Sequence, residues 1–472
     1  MKEDEGRKME EGGNMDDGRV RNGTVWTATA HIITAVIGSG VLGLGWSVSQ
    51  LGWILGPFCL LGFGYVTYYT ATLQADCYRY PNPLTGKRNY TYRDAVRVFL
   101  GPRNVFMCGM VQYAILWGSM VSYTIVAASS MVAMKKSNCF HKSGHNSKCG
   151  TSGIMYMIIY GLFQVILSQL PNLEKVSTIS VVATITSFVY SGIGLALCIA
   201  KFVCQGEIKG SLRGNSIGDT ASSSISSNMW NAFQALGSIA FAYAFAHVLI
   251  EIQDTLRPHQ PENKTMKRAA VYGMASTAIF YVSLGSAAYA AFGSHTPGNI
   301  LTGFGFYEPF WLVDIGNLCI AIHLTGAYQV YGQPIFAAIE DMIYSTWPTN
   351  CFVHLQLTVK LPFSNLGGVS LSPLSLLVRT TVVVVTTLVA MLVPFFNSVA
   401  GLIGAIAFWP LTVYFPVNMY IAQARLKRGT MKWVLLQCLL AASFVVSLLA
   451  AIGSVADIIK SLKHSKPFKA VY

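Results

Sequence analysis

Charge is scarce in this 472-residue chain: Asp, Glu, Lys and Arg make up 11% of it, against about 25% in an ordinary soluble domain. The few charges leave long stretches empty. None lies between Arg21 and Asp76 or between Arg379 and Arg425, and each gap has room for two spanning helices of roughly 20 apolar residues. Shorter uncharged stretches run from Arg103 to Lys135, Lys148 to Glu174, Lys175 to Lys201, Asp219 to Glu251, Arg268 to Glu308, Asp314 to Glu340 and Lys432 to Asp457. The shortage of charge excludes a water-soluble globule. The first twenty residues contain no apolar run, so a cleaved signal peptide is not expected. Also missing are a His-Glu-x-x-His motif and paired aspartates inside the apolar stretches, which argues against an intramembrane enzyme. Neither a repeated pore loop nor a ring of charge suggests a channel.

What is present is apolar: 53% of the residues are hydrophobic and the mean hydropathy is +0.48. The pattern predicts about eleven spans, near 27–48, 53–73, 106–134, 154–170, 176–199, 230–250, 269–292, 309–336, 380–396, 402–420 and 433–455. Counted in alternate connections, 22 Lys and Arg fall on the N-terminal side and 11 on the other. By the positive-inside rule the N-terminus is cytosolic and the C-terminal tail, 456–472, extracellular. The net charge of +13 is then an orientation signal and not a nucleic-acid footprint. The domain reading is a polar tail (1–24), one transmembrane domain (25–455) and the short C-terminal tail.

Three glycosylation patterns, at Asn22, Asn89 and Asn263, fall on the cytosolic side and are read as decoys. The segment 135–153 is read as an outside loop, where Cys139 and Cys149 are expected to pair. The same residues read Cys139-x-His141-x3-His145-x3-Cys149, which leaves a structural zinc site as the alternative. No other metal and no cofactor is expected.

The first span carries Gly38, Gly40, Gly43 and Gly45 within eight residues near mid-membrane. Glycine costs a helix about 1 kcal/mol relative to alanine, so the run signals either close helix packing or an interrupted helix lining a cavity. The sixth span offers a counterpart at Gly237-Ser238-Ile239-Ala240-Phe241-Ala242-Tyr243. Spans one to five (about 25–200) and six to ten (about 228–420) would then be inverted repeats, with 433–455 an addition. Interruptions at matching places in two inverted halves point to a transporter site. The expected substrate site is Val36, Ile37, Gly38, Ser39, Gly40 and Val41 with Ala240, Phe241 and Tyr243. N–H groups of the half-helix beginning near Gly40 suit a carboxylate. Carbonyls freed at 36–37 and 240–243 suit an ammonium. Phe241, Tyr243 and Phe245 are candidates for a side-chain pocket, or are simply packing aromatics.

The stretches from Thr24 to Leu42, Ala75 to Arg79, Gly86 to Tyr92, Ser137 to Lys142, Ile250 to Leu256, Gly303 to Trp311 and Phe408 to Pro416 resemble those of plant amino acid permeases. These belong to the amino acid/auxin permease group of the amino acid-polyamine-organocation superfamily, and the resemblance extends from about residue 20 to Phe468. It implies an all-α, leucine-transporter-like fold of five plus five helices, with helices 1 and 6 discontinuous. It also implies proton-coupled import of free amino acids, mainly neutral ones, across the plasma membrane, with the proton gradient as the driving force. Ser238 departs from the pattern, where many members carry Asp, and His247 stands where a small residue is common. Gly43, Gly45, Ser47, Ser49 and Ser398 depart as well.

Proton coupling needs a titratable group, and histidine's ordinary value of about 6.5 suits it. His31, in the first span, and His323, in the eighth, resemble family positions. In that fold the two helices are neighbours. Asp254 and Glu251 end the sixth span, and read either as an inner gate with a base such as Arg257 or as solvated helix-end charge. Asp314 enters the eighth span from outside and reads as interfacial. The rival reading is a transport-like sensor, or a carrier of another zwitterion or organic anion such as auxin or a proline-like osmolyte. The 337–379 segment, with Pro348, Pro362 and Pro373, has room for regulatory contacts. Oligomeric state is not legible.

Overall fold

The computed structural model describes residues 21–144, 149–169, 177–214, 225–258, 260–304, 310–350, 355–359 and 369–464. Among these, nine helices are long and apolar enough to cross a membrane, and two shorter apolar helices, Val25–Val36 and Gly153–Ser168, accompany them. Large side chains such as Phe58, Leu61, Phe106, Ile166 and Leu435 stand exposed. Water would not tolerate so much outward apolar surface, whereas lipid requires it. The chain is a multi-pass helical membrane protein.

The chain divides into two compact units, 1–115 with 195–300 and 400–457, and 116–194 with 301–399 and 458–472. In the first unit, α1 (Val25–Val36) starts on a Thr24 cap whose hydroxyl and that of Thr27 satisfy each other's backbone N–H groups. After a 3-10 turn, Ser39–Gly43, α2 (Leu44–Asp76) begins. Two helices are joined inside α2 at Gly52, whose φ of 84° is open to glycine and strained for other residues. A two-stranded antiparallel ribbon, β1 (Arg79–Tyr80) with β2 (Lys87–Arg88), leads to α3 (Tyr92–Leu100). The first part of α4 (Pro102–Ser143) completes this stretch of chain. The unit continues with the later part of α6 (Ser177–Gln205), α7 (Ile225–Ala242), α8 (Leu249–Asp254) and α9 (Glu262–Phe292).

In the second unit are the rest of α4, α5 (Gly153–Ser168), the start of α6, α10 (Phe310–Thr346) and α11 (Pro373–Leu392). A second ribbon, β3 (Leu357–Val359) with β4 (Val369–Leu371), lies between α10 and α11. The expected all-α class therefore holds apart from two short ribbons. The last helices are α12 (Phe396–Ala407), a π-helical segment Phe408–Tyr414 containing Pro410, α13 (Phe415–Gln423) and α14 (Met431–His464).

Several expected boundaries move. α4 continues to Ser143, so Cys139 sits on its last turns and not in a loop. Cys139 and Cys149 are joined in a disulfide, which removes both thiolates from any zinc site. His145 lies outside the described residues. α10 runs on to Thr346, and α11 starts at Pro373 and ends at Leu392, because Pro394 interrupts the chain before Phe396. Asn89 and Asn263 are buried and donate to Cys77 O and Asp76 Oδ1, which leaves neither amide presented to solvent.

In the first unit α7 crosses α12 at very short range. A Cβ on Gly404 would collide with the Gly237 carbonyl and the Phe241 backbone, and one on Gly237 with Gly401. Small residues at a crossing are what lipid-embedded helices use to gain dispersion contacts. Overpacking typically costs about 1–3 kcal/mol. Gly404→Ala should therefore lower the melting temperature of the detergent-solubilised protein. Gly62→Ala, where a Cβ meets nothing within 4 Å, should leave it unchanged.

Candidate functional site

The interruption expected in the first span begins where α1 ends. Ile37 leaves the helical region, Gly38 is extended, and the chain resumes as the 3-10 turn at Ser39. In the later segment α7 stops at Ala242, Tyr243 to Phe245 carry no regular helix, and a 3-10 turn, Ala246–Val248, leads into α8. The two interruptions touch. A Cβ on Gly40 would lie 2.7 Å from Ala242 Cα, so only glycine admits this approach. Val36, Ile37, Ser39, Gly40, Val41, Ala240 and Tyr243 are buried around the contact, with Gly38 and Phe241 partly exposed.

Ending a helix frees carbonyls, and in a water-poor interior each needs a donor. Tyr281 of α9 supplies one to both ends. Its Oη lies 2.6 Å from Val36 O and 3.1 Å from Ala242 O, and its ring is fully buried. One hydroxyl proton is shared between the last carbonyls of two interrupted helices. The carbonyls expected for a substrate ammonium are thus partly committed to Tyr281. Sequence reading overlooked this residue because it sits in an otherwise ordinary apolar span. Tyr243 packs its ring against Tyr281 at 5.0 Å, and its own hydroxyl is buried without a hydrogen-bond partner, as is Ser39 Oγ. Two unpaired hydroxyls at the interruptions are polar groups able to meet a zwitterion. Ser238 is buried one turn before the end of α7.

The C-terminal end of α8 is tied to the residues just before α1. Arg21 donates from Nη2 to Asp254 Oδ1 at 2.9 Å and from Nε to Asp254 O at 3.0 Å. The Tyr78 hydroxyl donates to the same Oδ1 at 2.7 Å. Burial first, then the hydrogen bond and the charge of Asp254, hold the Tyr78 phenol well above its ordinary range, so it remains a donor. Gly23 and Thr255 add a backbone bond of 2.9 Å. This corrects the expected partner: Arg257 donates to Asn22 O, and Arg21 holds Asp254. Nor is Asp254 a solvated helix-end charge, since its side chain is 10% exposed and that of Arg21 is 2% exposed.

The histidines have different surroundings. His31 is exposed on α1. His323, in the second unit, is buried with Nδ1 2.7 Å from Ala183 O, so Nδ1 carries a proton, and Tyr190 meets the ring edge-on at 5.7 Å. Its partners therefore come from α6, whereas the fold analogy looked to the first helix. Asp314 takes Asn138 Nδ2 at 2.8 Å.

A helical membrane protein with two interrupted, mutually touching helices is built like a solute transporter. The chain matches the family of transmembrane amino acid transporter proteins over residues 21–460, and it belongs to that family. It is 53% identical to amino acid permease 6 of Arabidopsis thaliana over 458 residues, covering 96% of this chain and 94% of that protein. It is 52% identical to amino acid permease 1 of the same plant, covering 97% and 94%. Lysine histidine transporter-like 1 is more distant at 28%. In fold it is similar to the structure of MhsT in complex with L-phenylalanine, with a TM-score of 0.53, 10% identity and coverage of 93% and 100%. It is also similar to Mhp1, a nucleobase-cation-symport-1 family transporter, at 0.51, 12% identity and coverage of 94% and 93%.

Two substitutions test the site's supports. Tyr281→Phe leaves two buried carbonyls short of a donor, a loss of about 1–3 kcal/mol. It should reduce amino acid uptake at unchanged surface expression, and Tyr281→Ala should reduce it further. Arg21→Ala strands a buried carboxylate, a change that costs about 3–5 kcal/mol when a buried pair loses one partner. Melting of the purified protein should show a larger drop than for Arg257→Ala.

Proposed function

We propose that this protein imports free amino acids, mainly neutral ones, across the plasma membrane by alternating access, together with protons. The observation that carries the reading is the meeting of the two interrupted helices at Gly40 and Ala242 under a shared Tyr281 hydroxyl. Irregular backbone inside a membrane is tolerated where it is buried in protein or lines a cavity, and matching interruptions in two halves favour a transport site. The N–H groups that follow Gly38, with Ser39 Oγ, suit the carboxylate. The carbonyl side of the same interruptions, shared with Tyr281, suits the ammonium, and Phe241 and Tyr243 face the side chain. Backbone recognition of the two charged ends accords with a carrier that accepts many side chains. The relatives named amino acid permeases support this substrate class.

In this reading the nine long helices and the two shorter apolar ones make eleven spans. Spans one to five and six to ten form the inverted repeats, and α14 is the addition. The N-terminus faces the cytosol and the C-terminus the outside. His31 and His323 belong to the coupling or gating machinery, and Asp254 with Arg21 closes the inner end of α8. No cofactor takes part. The Cys139–Cys149 bridge then lies outside the cell, where it persists.

Two-electrode recording in oocytes tests the reading, with single amino acids applied at about pH 5.5 and about pH 7.5, on either side of histidine's ordinary value of about 6.5. An inward current with neutral amino acids, larger in acid and persisting without sodium, is expected. Absence of current and of labelled uptake for every amino acid, with the protein at the surface, moves the assignment to a sensor or to a carrier of another zwitterion or anion.

A further inference from the structure

Glu251 has a different environment from Asp254, three residues further along α8. Its Oε1 accepts the backbone N–H of Tyr92, the first residue of α3, at 3.2 Å. Its Oε2 is buried and has no hydrogen-bond partner. No described Lys, Arg or His lies within ion-pair distance of it.

The charged and titratable groups on the surrounding elements have other attachments. Arg21, ahead of α1, and Tyr78, after α2, hold Asp254. On α3, Arg93 donates to the Tyr113 hydroxyl, while Asp94 bonds to Thr91 and lies 3.9 Å from Arg97. The Tyr92 hydroxyl donates to Leu411 O. On α9, Glu262 is held by Arg79 and Arg88, and Lys267 by Asp76. Cys77 and Cys108 are buried, and His247 is buried one turn earlier in the same segment.

An ionised carboxylate with one oxygen buried without a donor loses solvation that nothing replaces, whereas a neutral carboxyl loses much less. The Tyr92 N–H bond serves both forms. Proton occupancy at Glu251 is therefore coupled to whether water reaches Oε2: the neutral form belongs to the enclosed arrangement and the ionised form to a hydrated one. A ligand shifts a two-state equilibrium by its differential affinity for the two states, and here the ligand is the proton. The location is apt, because Glu251 lies between the interruption at Tyr243–Phe245 and the Arg21–Asp254 pair that ends the helix.

We propose that Glu251 is a proton-binding site of the transport cycle, taking up the symported proton when its Oε2 is enclosed and releasing it when water enters beside α8. This rests on the proton-symport reading given above. It adds a site distinct from His31 and His323.

Glu251→Gln tests it, because the amide oxygen still accepts from Tyr92 N while the side chain no longer titrates. Current and labelled amino acid flux are recorded together in oocytes at the two pH values, with surface protein quantified. For the wild type, current that rises in acid with a constant charge-to-flux ratio is expected. Wild-type flux without acid dependence or accompanying charge would overturn the symport reading itself, and Glu251's assignment with it. Given normal wild-type coupling, Glu251→Gln should still exchange internal labelled for external unlabelled amino acid. Its net current should be lost and its acid dependence flattened to a ratio near unity. A Gln variant that keeps the wild-type current and acid dependence overturns the assignment of Glu251. If Gln abolishes exchange as well, Glu251→Asp decides: acid-dependent current in Asp upholds a titrating role, and its absence overturns it.

Discussion

The governing constraint is that backbone polar groups inside a membrane must find partners within the protein. An uninterrupted helix satisfies them internally. An interrupted one exposes carbonyls at one end and N–H groups at the other, and must recover them from neighbours or from a ligand. Here the last carbonyls of α1 and α7 converge on one tyrosine hydroxyl, and glycine at position 40 lets the two interruptions come close enough for that to happen. The rest of the first unit supports this arrangement: α9 carries Tyr281, and the glycines of α12 let α7 lie close against it.

A second consequence is the way charge is handled. Ion pairs of the first unit gather where α2, α8 and α9 end or begin, as Arg21–Asp254, Arg79–Glu262–Arg88 and Lys267–Asp76. Each joins chain segments far apart in sequence. Arg21–Asp254 and Arg79–Glu262–Arg88 are buried, and pairs of that kind add little net stability compared with apolar packing, but breaking one is costly, so they fix register; Lys267–Asp76 is partly exposed. In the second unit the polar interior is mostly uncharged, with Gln329 donating to Gln164 and Ser168, and Arg379 bound to Glu340 near the helix ends. Membership in a transporter family and a fold shared with solute transporters agree with a molecule whose polar investment lies at helix ends and interruptions.

Much of this was legible in the residues. Uncharged stretches located the apolar helices, since a charge at mid-membrane is expensive. The run Gly38, Gly40, Gly43, Gly45 marked the first interruption because glycine weakens a helix whatever surrounds it. The second was fainter: residues 238–245 contain no glycine, alanine alternates with aromatics from Ala240 on, and the departure from helical form is accompanied by contacts with α1 and α9. Cys139 was misplaced into a loop because two lysines precede it, although lysine is an adequate helix former and α4 simply continues. Arg257, a near neighbour in sequence, is the natural example of a base for Asp254, because nothing in the order of residues brings Arg21 to it across more than two hundred positions.

The sequence by itself therefore determined where the chain is apolar, where it can bend and which family its motifs resemble, because hydropathy and glycine's conformational freedom are properties of each residue alone. Tertiary structure decided which groups share a proton, a charge or a buried surface: Tyr281 with Val36 and Ala242, Arg21 and Tyr78 with Asp254, and Glu251 with Tyr92. Those are properties of pairs, set by how helices pack against one another, and a hydrogen bond of about 3 Å leaves no trace in either partner's position along the chain.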